Sequence, residues 1–395
     1  MAFNIRFYGA AEAVTGSCHL VTIGKQRILL DCGMIQGSRS DESLNSEPFP
    51  FNPAAIDAVV LSHAHVDHSG RIPLLVKRGF KGTIYTHEAS RDLCAFMLKD
   101  VAFIGEREAE WKNRKRKKKG KPLLEPLYTI DEAARAMQQF KGLEYARKKQ
   151  ILPGVTLRLS DAGHILGSAI VELWIEYQGR KRKIVFSGDL GRPNMPVLRD
   201  PTPVRQADVV IMESTYGDRL HQSWRDSKQE IRDVLNAATA GKGNILMPAF
   251  AVGRTQEILY LFAKYYKEWK LRHWHIFLDS PMAIEATRVF ARHSELFDAE
   301  SKGLWSRNKK NPLLPNLHLT STVEQSMSIN TIRKGAIVIA GSGMCTGGRI
   351  RHHLRYNISR RKCHVIMTGY QAVSYTNLTL PTTGHGCSAG GGAGG

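Results

Sequence analysis

Cysteine is scarce in this sequence, which has six cysteines among 395 residues and no Cys-x-x-Cys pair. A disulfide framework and a zinc finger with thiolate ligands are therefore not supported, and we interpret the cysteines as reduced. Long apolar runs are also absent, because no stretch approaches the roughly 20 residues that a membrane-spanning helix needs. We therefore expect no membrane partner.

Acidic residues are fewer than basic ones, 36 against 56, which gives a formal net charge of +20 at pH 7 and a pI near 9.8. Such a surplus favours a polyanionic partner, with nucleic acid the obvious candidate, although it can also serve solubility alone. The first residues alternate like a β-strand and lack the basic flank and apolar segment of a signal peptide. We therefore expect a cytoplasmic protein.

Hydrophobic patterning predicts two α/β domains that meet at a proline-rich boundary near residues 195–210. In the first half, the patterns predict strands at 5–8, 19–23, 26–30, 56–61, 156–159, 169–177 and 183–186, and helices at 90–109 and 130–139. In the second half, strands at 209–212, 244–247, 274–278 and 336–340 alternate with helices at 227–240, 256–266 and 281–292. This alternation is typical of a parallel, doubly wound sheet.

The segment 112–121 consists almost entirely of lysine and arginine and lies between the two helices predicted for the first half. A run of like charges cannot pack in a core. Two interpretations remain open, a solvated loop and a segment that grips a nucleic-acid backbone.

Four potential metal ligands follow directly after the strand predicted at 56–61: His63, His65, Asp67 and His68. Imidazole and carboxylate groups are donors that zinc accepts in proteins. His63 and His65, at alternate positions, can point to one ion, whereas Asp67 and His68 can point to a second. The spacing predicts a two-metal site rather than a loop with surface histidines.

This cluster resembles the signature of the metallo-β-lactamase superfamily, and three further residues recur in the expected order: Asp31, His164 and Asp189. The resemblance implies that His63, His65 and His164 hold one zinc ion. It also implies that Asp67 and His68 hold part of a second Zn²⁺, with Asp189 between the two ions. Asp31 is then interpreted as the residue that orients a ligand histidine.

Three segments of the second half, 212–218, 248–257 and 341–349, resemble the β-CASP nucleases. In that family an acidic residue, here Glu213, supports the catalytic centre through a downstream histidine. We predict that Asp67, Asp189 and Glu213 are catalytic. Substrate contacts are assigned to Ser214, Thr215, Arg254 and Arg349, because guanidinium groups and helix N-termini bind phosphate.

The resemblance implies the α/β class, with a metallo-β-lactamase αββα sandwich at residues 1–205 and an inserted, doubly wound parallel β-CASP domain at 206–372. Bacterial and archaeal relatives of the pre-mRNA 3′-end cleavage endonuclease match these motifs best. The expected activity is therefore hydrolysis of RNA, internally or from the 5′ end, by a water that two zinc ions activate.

Two histidine motifs that the family carries after the insert, one a general acid and one a ligand of the second zinc, are not found. Family-like sequence stops after Ala372, and residues 373–383 resemble the translation of a sequencing-library adapter. We interpret residues 373–395 as a non-family, artefactual tail, and we expect a truncated chain with weak activity.

Three alternatives stay open at this point. The first is a DNA-processing nuclease of the same superfamily, and the second is a hydrolase of small molecules such as lactams or thioesters. The third is a catalytically impaired fragment that binds RNA. A homodimeric assembly is also left open.

Overall fold

The computed structural model describes residues 3–215, 217–218, 224–306, 314–345 and 347–369. The chain divides into two compact units, the first of which ends at Thr215. The tail predicted at 373–395 lies outside the described residues. Among those residues, no helix combines the length and the apolar character that a bilayer crossing requires.

The first unit contains two sheets. The strands of the first sheet are β1 (Phe3–Phe7), β2 (His19–Ile23), β3 (Gln26–Leu30), β4 (Ala58–Val60), β5 (Thr83–His87) and β6 (Phe140–Leu143), in that spatial order. Strands β1 to β3 form an antiparallel meander, and β3 to β6 pair in parallel.

The second sheet follows in the chain and is mostly antiparallel. Its strands, in spatial order, are β7 (Lys149–Leu152), β8 (Val155–Asp161), β9 (Ala169–Tyr177), β10 (Arg180–Phe186) and β11 (Val209–Ile211). Only β10 and β11 pair in parallel. Strands β6 and β7 are short and polar, and the sequence patterns did not predict them.

The two sheets pack face to face through the apolar side chains that their strands direct inwards, as in β8, where apolar and polar residues alternate. The shared core includes residues of both sheets, among them Val21, Ile28, Leu30, Leu157, Val171 and Leu173. Each fully buried valine, leucine or isoleucine contributes about 1.5–3 kcal/mol to stability. The sandwich therefore holds the ends of strands from both sheets at fixed positions.

Five helices connect or follow the strands of the first sheet. They are α1 (Arg39–Ser43), α2 (Val66–Ser69), α3 (Ile72–Lys77), α4 (Glu88–Lys118) and α5 (Ile130–Ala136), with 3-10 turns at Leu44–Ser46, Pro53–Ala55 and Met137–Gln139. Helix α4 packs against α5, β5 and β6. Its first half buries residues on more than one side, among them Leu93 and Met97, whereas its second half is buried on the side of Ala102 and Ala109.

The placement of the basic segment 112–121 between two helices was wrong, because most of this segment forms the last turns of α4. Lysine and arginine are good helix formers, and their charges are favourable near a helix C-terminus. The helix ends at Lys118, and Gly120 just beyond it has a φ of +62°, which suits glycine. The amides of Gly120 and Lys121 donate to the carbonyls of Lys117 and Arg116, which closes the last turn.

The second unit is a parallel sheet between helices. Its strands are β12 (Ile245–Pro248), β13 (His275–Leu278), β14 (Leu317–Leu319), β15 (Ala336–Ala340) and β16 (His364–Val365), in the order β14-β13-β15-β12-β16. Its helices are α6 (Trp224–Gly241), α7 (Arg254–Lys264), α8 (Pro281–Arg292), α9 (Ala299–Ser306), α10 (Val323–Ile329) and α11 (Ile350–Asn357), with 3-10 turns at Leu271–His273 and Ser294–Leu296. Every strand pair is parallel among the residues described. The predicted α/β class is confirmed.

Candidate metal centre

The predicted ligands lie just after strands of both sheets in the first unit. They are His63 and His65 after β4, Asp67 and His68 in α2, His164 after β8, and Asp189 after β10. The amide of Ala169, the first residue of β9, donates to the carbonyl of Ser62 at 2.9 Å. This bond ties the loop after β4 to the other sheet, so that the loops meet at one edge of the sandwich.

Four of these side chains converge: His63, His65, His164 and Asp189 place one ligand atom each within 4.8 Å of the others. His65 Nδ1 lies 3.1 Å from His63 Nε2 and 3.2 Å from His164 Nε2. Asp189 Oδ2 lies 3.8 Å from His63 Nε2 and 3.5 Å from His164 Nε2. A tetrahedral centre with bonds of about 2.0–2.1 Å places its ligand atoms about 3.3 Å apart. The group therefore fits an ion of the size of zinc.

The other two predicted ligands lie beside the second oxygen of the same carboxylate. His68 Nε2 lies 3.1 Å from Asp189 Oδ1 and 3.8 Å from Asp67 Oδ2. The two oxygens of Asp189 therefore face different donor groups, which fits a carboxylate shared by two ions. The roles of these residues as ligands remain predictions.

Asp31 lies behind the predicted ligands and contacts His68 and Ser62 by hydrogen bonds. Its Oδ2 is 2.7 Å from Nδ1 of His68, which leaves Nε2 of that ring directed at Asp67 and Asp189. Its Oδ1 accepts from the amide of Ser62 at 2.7 Å, and the Ser62 hydroxyl donates to Oδ2 at 3.0 Å. No role was predicted for Ser62, although its position directly before the first histidine was a usable signal.

Burial and opposed charges shift the pKa values of the central residues. Burial, together with the nearby His68, holds the pKa of His63 well below its ordinary value of 6.5, so its imidazole is neutral. Burial also acts to lower the pKa of His68, but the surrounding carboxylates, Asp189 foremost, raise it well above 6.5. Burial opposes ionisation of Asp189, yet the imidazoles hold its pKa well below 3.8. Neutral imidazole and ionised carboxylate are the forms that bind metal, so His63 and Asp189 are already in the binding form and His68 would release a proton on binding.

Glu213 stabilises the loop that carries Asp189 through hydrogen bonds. Its Oε1 accepts from the amide of Leu190 at 2.6 Å, and its Oε2 accepts from the hydroxyl of Thr215 at 2.8 Å. Burial and the charge of Asp189 raise the pKa of Glu213. Ser214 and Thr215 are exposed, but the Thr215 hydroxyl is engaged with Glu213. Their assignment to substrate contact remains a prediction.

The two arginines predicted to bind substrate lie in the second unit and make internal contacts there. Arg254 Nη1 donates to Glu257 Oε2 at 2.6 Å. Arg349 Nη1 donates to Asp279 Oδ1 at 2.7 Å, and Arg349 also donates to the backbone carbonyls of residues 320 and 321. The visible role of Arg349 is therefore to hold its own loop, and its contact with phosphate remains a prediction.

Asp279, at the end of β13, is a buried anchor that the sequence analysis missed. Four side chains contact its carboxylate: Thr320, Ser326, Arg349 and His353. Burial opposes its ionisation, but these hydrogen bonds lower its pKa to about 2. The carboxylate thus ties the loops after β13, β14 and β15 together in ionised form.

Two family models match the chain and together cover most of it. The family model of the metallo-β-lactamase superfamily matches residues 11–240, and that of the Beta-Casp domain matches residues 255–375. The chain is 37% identical over 365 residues to Ribonuclease TTHA0252 of Thermus thermophilus, with 92% of this chain and 78% of that protein covered.

A second relative and one solved structure extend the comparison. The chain is 29% identical over 374 residues to transcription termination factor FttA of Methanosarcina mazei, with 92% of this chain covered, and spans about half of that relative's length, 55%. A solved structure of a protein of unknown function from Enterococcus faecalis aligns with a TM-score of 0.50 at 12% sequence identity. The alignment covers 93% of this chain and 88% of the Enterococcus faecalis chain. That likeness shows the fold alone.

Proposed function

Because the chain belongs to the metallo-β-lactamase superfamily and carries a β-CASP domain, we propose that it is a zinc-dependent ribonuclease. The metal-binding domain would span residues 1–205 and the β-CASP domain 206–372. The observation that carries the proposal is the convergence of three imidazole nitrogens and one carboxylate oxygen from separate loops. The names of the relatives, a ribonuclease and a transcription termination factor, favour RNA as the polymer.

Each residue of the site has a distinct task in this proposal. The first ion would be held by His63, His65 and His164, and the second by Asp67 and His68, with Asp189 shared between them. When bound, the two ions would lower the pKa of a water and offset the charge that builds on the phosphoryl oxygen.

Two carboxylates support the ligands rather than bind metal. Asp31 fixes the ring of His68, so that Nε2 faces the second metal position. Glu213 holds the backbone at Leu190 and thereby the position of Asp189. The positive charge of the chain supports a polyanionic substrate.

The proposal is tested with labelled RNA and labelled DNA of the same sequence, together with measurement of bound metal. The parent chain should contain zinc and cleave the RNA. Mutation of a residue that only hydrogen-bonds to a metal ligand lowers activity roughly 10–100-fold. The double variant His63→Ala/His65→Ala removes two ligands themselves and should lose more activity than that. His273→Ala, which removes an exposed histidine of the second unit, is the matched control and should behave as the parent.

Three outcomes would contradict the proposal. RNA cleavage by the double variant at the parent's rate would show that the cluster is not the catalytic centre. Faster cleavage of DNA than of RNA would identify a DNA nuclease. Binding of RNA without cleavage by the metal-loaded parent would identify an RNA-binding fragment.

A further inference from the structure

Helix α4 carries an exposed stripe in which aromatic and cationic side chains alternate every four residues, hereafter the α4 stripe: Phe103, Arg107, Trp111 and Lys115. Phe103 and Trp111 are 46% and 57% exposed. The guanidinium carbon of Arg107 lies 5.3 Å from the centre of the Phe103 ring, and Lys115 Nζ lies 4.4 Å from that of Trp111. Two large aromatic side chains exposed on one face indicate an interaction surface.

The α4 stripe lies opposite the face by which the second half of α4 packs. Ala102 and Ala109 are buried on the packed face. Asn113 exchanges two hydrogen bonds of 2.8 Å with the backbone of Leu124, which holds the returning chain on that same side. Residues four apart share a helix face, so the four members of the stripe all point away from the packed side.

The charge around the α4 stripe is mostly positive. The last turns of the helix carry Arg114, Lys115, Arg116, Lys117 and Lys118. Acidic neighbours are already paired, because Glu110 contacts Arg107 at 3.1 Å and Glu108 contacts Lys112 at 3.3 Å. In the part of the chain that the structure describes, no ion pair engages Lys115 or Lys117, and these ammonium groups are available to a polyanion.

We propose that the α4 stripe binds single-stranded RNA, an inference that rests on the function proposed above. Bases would stack on the rings of Phe103 and Trp111, and phosphates would pair with the cations at the end of α4. This combination of aromatic platforms and positive charge is the way proteins bind single strands without regard to sequence. An apolar surface of a protein partner could pack on the rings of Phe103 and Trp111, but it would not pair with the cations at the end of α4.

The α4 stripe extends away from the metal centre. The hydroxyl of Ser90, in the first turn of α4, donates at 2.7 Å to the carbonyl of Gly167, which belongs to the loop of His164. Phe103 follows Glu88, the first residue of α4, by 15 residues, which corresponds to about 22 Å along a helix axis. The stripe would therefore hold RNA beyond the nucleotides at the catalytic centre, and only long substrates would reach it.

The test distinguishes the contribution of base stacking from that of phosphate pairing. It measures how the RNA-binding constant of each variant depends on salt concentration. It uses the full chain with His63→Ala/His65→Ala, so that the RNA stays intact. In this background Trp111→Ala should weaken binding of a long single-stranded RNA on the order of tenfold, with an unchanged slope of log K against log salt. Lys115→Gln/Lys117→Gln should instead reduce the slope, because each lost phosphate contact removes about 0.7 from it for a single strand.

Two control variants guard against a structural effect. Trp111→Phe keeps an aromatic ring and should retain most of the affinity. Leu44→Ala truncates a comparably exposed apolar side chain that follows Asp41 and Glu42, and this variant should bind as the background does.

The inference would be overturned if Trp111→Ala bound long RNA as well as the background does. If the parent chain still cleaved that RNA, the proposed function would stand without the α4 stripe. The inference would also be overturned if Trp111→Phe lost as much affinity as Trp111→Ala. If the parent chain did not cleave RNA but Trp111→Ala still weakened RNA binding, the proposed function would be wrong and the α4 stripe would stand.

Discussion

At the scale of single residues, Asp31 has a φ of +58°, a left-handed conformation that few residues other than glycine adopt. Aspartate and asparagine tolerate it better than most. The conformation is held by the bonds that its carboxylate makes to Ser62 and His68. The strained backbone and the ligand geometry are thus two consequences of one set of contacts.

Asp31→Asn should lower zinc affinity about 10–100-fold, because a neutral amide orients His68 less well than a carboxylate does. The substitution keeps the side-chain size and the tolerance of positive φ, so the fold should be retained. Competition with a chromogenic chelator measures the change. Asp57→Asn is the control, since Asp57 accepts one bond from the backbone of Arg27 away from the ligands. Zinc affinity equal to the parent's would show that Asp31 does not orient the ligand.

At the scale of elements, the second sheet carries a buried ionic cluster on its outer face. Glu172 of β9 is fully buried and accepts from Arg158 of β8 at 2.8 and 2.9 Å, and from Ser160 at 2.8 Å. Lys183 of β10 lies 2.6 Å away on its other side. Burial opposes ionisation of Glu172, but these partners lower its pKa to about 2. The cluster therefore joins three neighbouring strands by charge as well as by backbone hydrogen bonds.

The cluster predicts a specific dependence of stability on pH. Because the folded pKa of about 2 lies below the ordinary value of 4.5, the stabilisation is fully present above about pH 4.5 and is lost as the pH falls towards 2. Glu172→Gln should lower the free energy of unfolding near pH 7 by about 2–3 kcal/mol. It should also flatten the decline between pH 4.5 and 2, as measured by urea unfolding.

Glu176→Gln is the matched control for this prediction, because Glu176 lies on the same strand but is exposed. Its stability should follow that of the parent chain at every pH. If the curves of Glu172→Gln and the parent ran parallel between pH 4.5 and 2, the cluster would not be the source of the acid sensitivity.

At the scale of the whole molecule, the net charge of +20 predicts that RNA binding depends strongly on salt. Each phosphate contact releases counterions, so log K should fall linearly with log salt, with a slope of about −0.7 per contact for a single strand. Fluorescence anisotropy over a salt series measures this slope. An uncharged-backbone oligonucleotide with the same bases is the control, and its binding should vary little. A flat line for RNA would assign the charge surplus to solubility.

Much of the fold could be predicted from local patterns. Strands β2, β3 and β9 and helix α8 have the bounds that the patterns predict, because their alternation or helical spacing is strong and turn residues flank them. Strands β6 and β7 were missed because they are short and polar, and their pairing comes from neighbouring strands. The length of α4 was underestimated because a run of charges was taken as the end of a helix.

The sequence by itself determined the chemistry of the site, because a histidine or carboxylate is a metal donor wherever it lies and the cluster at 63–68 is local. Only the tertiary structure decided that His164 lies 3.2 Å from His65, although 99 residues separate them, and that Asp189 faces both groups of donors. It also decided that Arg349 is held by Asp279, 70 residues away. Local patterns depend on the period of a single element, whereas these distances depend on which strand ends the packed sheets bring together.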